Sequence, residues 1–278
     1  MTEKEKIFDE IAKEAAKDKG DNIDDFEYYS YYMCPDQYVG KIKNVIKKKR
    51  FWRKNIEETN AIEQYDKIII LILESPHQDE FESDKNVSRR FPIGPANGAT
   101  GVNIWKFLNS IFSQKISDLG DCALLLMNAI PFQCSLGLNL SNNETNKKTR
   151  DAVFNAVWDD KNIGANFFER RLENLLDALL RKNVVIVNAC TQGTQKSKPL
   201  CCQVCKSIIN VIQNYCDDEK SVESPVAFYH IHHPSSWTYG NTTLNKDKTS
   251  ISKESNDFNC KEDKNLEKCY GKIKYNIE

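Results

Sequence analysis

Four segments of the sequence carry polar side chains that suit acid, base or hydrogen-bonding chemistry, and each segment directly follows a short apolar run. They are Glu74-Ser75-Pro76-His77-Gln78-Asp79, Asn128, Asn188 and His232-His233-Pro234-Ser235-Ser236-Trp237. Carboxyl groups and imidazoles transfer protons, and an amide donates and accepts hydrogen bonds at once. A single polar residue after a strand usually caps a turn or a helix. Four of them in this order favour a functional site.

The elements that must position these residues follow from the apolar pattern of a 278-residue chain that is 40% hydrophobic and 28% charged. Short β-branched or leucine-rich runs alternate with helical periodicity, which predicts a parallel-rich, doubly wound α/β sheet. Ligands of such sheets bind at the carboxyl ends of the strands. The predicted strands are Lys67–Leu73, Ala123–Met127, Val184–Val187 and Val226–Ile231, and the predicted helices are Val102–Phe112, Phe167–Lys182 and Gln203–Tyr215.

Composition divides the chain into three regions. Residues 1–64 are predicted to form a helical, partly basic N-terminal extension, residues 65–237 the α/β domain, and residues 238–278 a polar tail. The longest apolar run, Ile68 to Leu73, is far shorter than the roughly 18 residues of a membrane span. The first residues lack the apolar stretch of a signal peptide, so we expect a cytoplasmic protein that contacts no membrane.

The ten cysteines are spread with little regular spacing, and we expect mostly free thiols. Cys201, Cys202 and Cys205 are the one cluster that suits a metal, but a second Cys/His pair at zinc-finger spacing is missing. Thiols on a helix are the favoured interpretation of this cluster, and no metal or other cofactor is expected.

Three of the polar segments resemble motifs of the uracil-DNA glycosylase superfamily. The likeness lies in Pro76 after Glu74-Ser75, in the run that ends at Asn128, and in His233-Pro234-Ser235. Val184 to Gln195 also resembles the strand and loop that precede the last βα unit of that family. It covers roughly Tyr65 to Trp237. The resemblance implies a three-layer α/β/α sandwich around a short four-stranded sheet, and an enzyme that hydrolyses the N-glycosidic bond of a nucleotide flipped out of DNA.

The same resemblance implies a role for each matching residue. Asn128 would read the Watson-Crick edge of the flipped base, His233 would stabilise negative charge on the departing base, and Phe91 would stack on it. Ser235, Ser236 and Trp237 would contact the phosphates or fill the gap left by the flipped nucleotide.

Two positions depart from the best-known branch of this family. Ser75 stands where that branch has the water-activating aspartate, so the carboxylate would be Glu74 first and Asp79 second. His77 stands where the branch has a tyrosine that excludes C5-substituted pyrimidines. Without a tyrosine side chain at this position, the pocket would admit a bulkier modified base.

A basic segment in the N-terminal region is the candidate for contact with the DNA backbone. Lys41 to Lys54 carries eight basic and no acidic residues, with Lys47, Lys48, Lys49 and Arg50 at its centre. Clustered cations neutralise phosphates and release counterions. A solvated helix face explains the segment equally well.

The resemblance therefore implies a monomeric, monofunctional DNA glycosylase that leaves an abasic site. Because the resemblance extends to anti-phage glycosylases, the favoured substrate is glucosylated hydroxymethylcytosine of phage DNA, as an anti-phage defence. The alternatives are a uracil-DNA repair glycosylase, a family member without catalysis that only senses or holds DNA, and a hydrolase of nucleosides or nucleotides.

Overall fold

The structure is a computed structural model, and it describes residues 1–20, 30, 32–42, 65–81, 91–94, 96–113, 116, 118–135, 143–180, 182–195, 198–217, 226–231 and 233–237. Several predictions lie outside these residues. They concern Lys47, Lys48, Lys49, Arg50, His232 and the tail 238–278.

A five-stranded sheet forms the centre of the molecule, in the order β1-β3-β2-β4-β5. Strands β2 to β5 run parallel, and β1 is an antiparallel edge strand paired with β3. The strands are β1 (Gln37–Lys41), β2 (Lys67–Leu73), β3 (Ala123–Asn128), β4 (Asn183–Asn188) and β5 (Val226–His230). The predicted α/β class is confirmed, and all four predicted strands are present as parallel neighbours.

Helices cover both faces of this sheet. One face packs against α1, α3, α4 and α5, and the other packs against α2. The helices are α1 (Glu3–Lys17), α2 (Ala99–Phe112), α3 (Asn143–Asp159), α4 (Ala165–Ala178) and α5 (Leu200–Asp217). None of the helices in the described ranges is long and apolar enough to cross a membrane.

The burial of β2 explains its uninterrupted apolar sequence. Ile68, Ile70 and Ile72 point into the core on the α1 side, whereas Ile69 and Leu71 point into the core on the α2 side. Successive side chains of a strand face opposite ways, so a strand covered on both faces must be apolar throughout.

The N-terminal region differs from the wholly helical prediction. Residues Gln37–Lys41 form β1, because their backbone completes the free edge of β3, and this pairing overrides the polar local sequence. Helix α1 begins at a capping box in which Thr2 and Glu5 satisfy each other's backbone amides. Phe8 of α1 is fully buried and stacks on Phe132 with ring centroids 4.7 Å apart.

The packing of α1 predicts that it contributes to the stability of the whole domain. Phe8→Ala should lower the free energy of unfolding by about 3 to 5 kcal/mol, because it leaves a cavity in the core. Glu10→Ala, at an exposed position of the same helix, is the control and should change little. Equal denaturant midpoints for the two variants would show that α1 does not belong to the cooperative core.

Candidate functional site

The strand register brings the predicted polar residues to one edge of the sheet. Asn128 at the end of β3 lies beside Leu73 of β2, and Asn188 at the end of β4 lies beside Ile72. The amide of Ile130 donates to the Glu74 carbonyl at 3.0 Å, which holds the segment after β3 against the segment after β2. Glu74 and Asn128 are therefore neighbours at the carboxyl edge.

This edge contains the point at which the chain reverses its direction across the sheet. The chain leaves β2 toward β3 through α2 on one face, and it leaves β4 toward β5 through α5 on the other. Diverging connections of this kind open a crevice between the two strand ends, where ligands of α/β proteins bind. Glu74 follows β2 directly at this crevice.

Glu74 is a buried carboxylate with a cationic partner. The residue is 5% exposed, and the Arg150 Nε atom lies 3.3 Å from its Oε1 atom. Burial raises the pKa of Glu74 to about 7, the positive charge of Arg150 opposes that rise, and the nearby Asp151 adds to it. A carboxyl group with such a pKa changes between base and acid near neutral pH.

Arg150 also binds Asp151, which is fully buried. The Nε and Nη2 atoms of Arg150 donate to Asp151 Oδ1 at 2.9 and 2.6 Å, and the Thr194 hydroxyl donates to Oδ2 at 2.6 Å. A single guanidinium thus contacts two buried carboxylates.

The sequence analysis missed Arg150 and Asp151, which both lie in α3. Apolar residues at Val153, Phe154, Val157 and Trp158 were the signal that could have predicted this helix.

The backbone of Asn128 is fixed by a hydrogen bond, whereas one atom of its side chain has no hydrogen-bond partner among the described residues. The residue is 1% exposed, and its carbonyl accepts a hydrogen bond from Arg171 Nη1 at 3.1 Å. Its Oδ1 atom has no hydrogen-bond partner among the described residues. A buried acceptor without a partner costs stability, which a bound ligand would restore.

Glu80 is a third residue that the sequence analysis missed. It ends a short 3-10 turn, Gln78–Glu80, and is 3% exposed. The Asn128 side chain hydrogen-bonds its carboxyl group, and burial raises the pKa of Glu80 to about 8. It stands six residues after Glu74, in a loop whose sequence shows no burial pattern.

His233 faces the same group of charges. Its Nδ1 atom accepts a hydrogen bond from the Ser235 amide at 3.2 Å, so the ring proton of neutral His233 is on Nε2. Desolvation, together with the positive charges of Arg150 and His77, lowers the pKa of His233 to about 4. The imidazole is therefore a neutral hydrogen-bond donor at physiological pH.

The turn after β2 places the other predicted residues at the mouth of the site. His77 caps the turn, with its Nδ1 atom 3.5 Å from an oxygen of the half-exposed Asp79 carboxylate. Desolvation lowers the pKa of His77, and Asp79 opposes this change. Ser75 hydrogen-bonds Cys134. Asp79 is thus less buried than Glu74 and pairs with His77.

Four residues were predicted to contact the flipped base or the DNA, and the structure gives their surroundings. Trp237 is fully buried and packs edge-on against Phe112, so its predicted contact with DNA phosphates is corrected to a role in the core. Phe91 is 51% exposed but stacks on Tyr32 at 4.7 Å. Ser235 is exposed beside His233. Ser236 lies in the same turn, Pro234–Ser236.

Asn188 and the cysteine cluster have structural roles. The Asn188 side chain donates to the Cys201 carbonyl at 2.9 Å and accepts from the Cys190 amide at 3.1 Å, which joins β4 to α5. Cys201 and Cys205 are buried free thiols, whereas Cys202 is in a disulfide bond. No group of three or more potential metal ligands occurs within the described part of the chain.

A cavity of about 330 Å³ lies at the opposite, amino-terminal edge of the sheet. Its walls include Lys41, Lys67 and Asp121, and the Lys41 Nζ atom lies 2.6 Å from Asp121 Oδ1. This cavity is separated from Glu74 and Asn128 by the length of the strands, so it takes no part in the site.

Comparison of the chain with family models, with curated proteins and with solved structures finds no match in any of the three. The function is therefore inferred from the chain's own residues.

Burial of the Glu80 carboxyl group predicts a pH-dependent loss of stability. Its pKa is about 8 in the folded protein and about 4.5 in the unfolded chain. Between these values the folded state holds more protons, so wild type should lose stability relative to Glu80→Gln as the pH rises from about 4.5 to 8. Each unit of pKa difference corresponds to about 1.4 kcal/mol. Urea unfolding across this range measures the difference, and a difference independent of pH would contradict the burial.

Proposed function

We propose that the protein is a monofunctional DNA glycosylase that hydrolyses the N-glycosidic bond of a flipped, non-canonical pyrimidine and leaves an abasic site. One observation carries this proposal. A buried carboxylate, Glu74, and a buried amide with an unpaired acceptor, Asn128, lie at neighbouring strand ends, and the neutral imidazole of His233 is within electrostatic range of Arg150, the partner of Glu74. Together, Glu74 supplies a proton acceptor, Asn128 supplies a group that recognises the nucleobase, and His233 supplies a hydrogen-bond donor.

Asn128 would recognise the base, and His233 would stabilise its departure. The open amide oxygen of Asn128 accepts a hydrogen bond from a ring or exocyclic N–H of the pyrimidine. The Nε2–H of His233 donates to the oxygen on which negative charge develops as the glycosidic bond breaks. A preorganised hydrogen-bond donor stabilises such developing charge without having to reorient during the reaction.

Glu74 would act on the sugar and on the attacking water. Its carboxylate stabilises the positive charge of an oxocarbenium-like sugar and accepts a proton from the water that attacks C1′. Arg150 keeps this buried group partly ionised near neutral pH by lowering its pKa against the effect of burial. Arg150 is therefore a positioning residue, since it acts through Glu74.

The favoured substrate is a cytosine with a bulky C5 substituent, such as glucosylated hydroxymethylcytosine in phage DNA. His77 stands directly after Pro76 and is partly exposed at the mouth of the site, where the family pattern has an excluding tyrosine. The imidazole is smaller and polar. A hydroxymethyl or sugar group would pass this residue and find hydrogen-bond partners there.

Abasic-site formation tests the function directly. The full chain is incubated with uracil-containing, unmodified and glucosylated phage DNA, and alkali-labile sites are counted. Cleavage of the glucosylated DNA supports the favoured substrate, and cleavage of the uracil DNA alone indicates a repair glycosylase. Binding without cleavage indicates a DNA-holding protein, and release of base from free nucleosides alone indicates a nucleoside hydrolase.

Removal of the base-reading and charge-stabilising groups should abolish activity without unfolding the protein. Asn128→Ala and His233→Ala should each lower the rate of base release by about 100 to 1,000-fold, because each removes one preorganised polar group. Asn109→Ala, at an exposed position of α2, is the matched control. Activity within a few-fold of wild type in both site variants would remove the glycosylase assignment.

His77 should determine whether the protein prefers pyrimidines with or without a substituent at C5. His77→Tyr should shift relative activity from modified cytosine toward uracil by roughly tenfold or more, because a larger ring narrows the entrance. His77→Ala keeps the entrance open and should not produce this shift. The measurement is the ratio of kcat/KM for the two substrates in the three proteins, and an unchanged ratio in His77→Tyr would place the C5 pocket elsewhere.

A further inference from the structure

Among the described residues, Glu80 is a buried carboxyl group without the cationic partner that Glu74 has. Arg150 lies against Glu74 and Asp151, whereas the charged group within these residues that acts on Glu80 is the carboxylate of Asp79. Removing a carboxylate from water without a compensating cation strongly favours the neutral, protonated form. Two carboxyl groups of one site thus occupy opposite environments.

The surroundings of Glu80 fix its side chain beside Asn128. The backbone amides of His77 and Ala96 and the side chain of Asn128 all hydrogen-bond the carboxyl group. The Glu80 carbonyl accepts the Ile93 amide at 2.8 Å, which joins the backbone at Ile93 to the turn. The Ala96 backbone amide, from the loop before α2, and the Asn128 side-chain amide, from β3, are both uncharged.

Two atoms in this arrangement remain open. Glu80 Oε2 and Asn128 Oδ1 are both buried, and neither has a hydrogen-bond partner within the described residues. A buried polar atom without a partner costs about 1 to 3 kcal/mol, and one explanation for such atoms is a catalytic role. The open atoms belong to two side chains that are hydrogen-bonded to each other, so one ligand edge would satisfy both.

We propose that Glu80 is a second catalytic residue, the general acid that protonates ring N3 of a flipped cytosine-type base as its glycosidic bond breaks. This inference rests on the proposed glycosylase function. It names the base class as a 4-amino pyrimidine, in which N3 has a free lone pair. In uracil, N3 already carries a hydrogen and cannot accept the proton.

The proton and electron balance of the step is complete. The Glu80 O–H bond breaks and an N3–H bond forms, while the electron pair of the C1′–N1 bond passes to the base, which leaves as a neutral tautomer. The oxygen of water bonds to C1′, and its proton passes to Glu74. Glu80 ends ionised and Glu74 protonated, and exchange with solvent restores both.

The environments of the two carboxyl groups agree with these roles. Arg150 favours the ionised form of Glu74, which suits a base, and the uncompensated burial of Glu80 favours the protonated form, which suits an acid. Such separation of two carboxyl groups by environment is how one site carries out acid and base chemistry at one pH. Positioned acids contribute about 100 to 10,000-fold in rate.

The test compares Glu80→Gln with Glu74→Gln on two matched bases, 5-hydroxymethylcytosine and 5-hydroxymethyluracil, in one oligonucleotide sequence. The bases share the C5 substituent and differ at N3 and C4. Glu80→Gln should lower kcat on hydroxymethylcytosine at least 100-fold and change kcat on hydroxymethyluracil less than tenfold, with KM little altered. Glu74→Gln should lower kcat on both.

A second measurement uses wild type only and guards against a misfolded variant. The kcat of wild type on hydroxymethylcytosine should fall above about pH 8 as Glu80 ionises, and kcat on hydroxymethyluracil should lack this fall. Equal losses on both bases in Glu80→Gln, or identical pH profiles, would overturn the acid role. Release of hydroxymethyluracil alone would overturn it while the glycosylase remains, whereas no release from any DNA would overturn both.

Discussion

The pairing of β2 with strands on both of its edges is the constraint on which the rest of the structure depends. Six consecutive residue pairs join it to β3 and six join it to β4, and both of its faces are covered by helices. The side chains of β2 from Ile68 to Leu73 are therefore all buried in the core. Polar chemistry is displaced to its carboxyl end, where Glu74 is the first residue that the sheet does not require to be apolar.

Burial at that end leaves the carboxyl groups in unequal electrostatic environments, because Arg150 contacts the carboxylates of Glu74 and Asp151 and is not among the groups that act on Glu80. Coulombic attraction in a poorly solvated site is strong, yet it stabilises only the carboxylates that the guanidinium reaches. Glu74 and Asp151 receive that stabilisation, and Glu80 receives hydrogen bonds from amides instead. This unequal distribution of one positive charge, more than the residue types, distinguishes the two glutamates.

The sequence predicts the sheet better than it predicts the site. The apolar runs of β2 to β5 identify buried parallel strands because burial on both faces leaves a local signature. The edge strand β1 has no such signature, since its formation depends on the free edge of β3. Glu74 and Asn128 are found by their position after a strand, whereas Arg150 and Glu80 become neighbours of the site only through tertiary packing. Trp237 was assigned to the surface because a residue near a polar loop gives no local indication of depth.

The position of Asn128 depends on the N-terminal region. Arg171 of α4 donates to the Asn128 carbonyl and forms an ion pair with Asp36, the residue directly before β1. Burial raises the pKa of Asp36, and the positive charge of Arg171 opposes that rise, so the pair is partly sheltered from water. Breaking a sheltered pair by removing one partner is strongly destabilising because it leaves an uncompensated charge. Residues N-terminal to β2 therefore help to fix the backbone of Asn128, and the N-terminal region is part of the support of the candidate site.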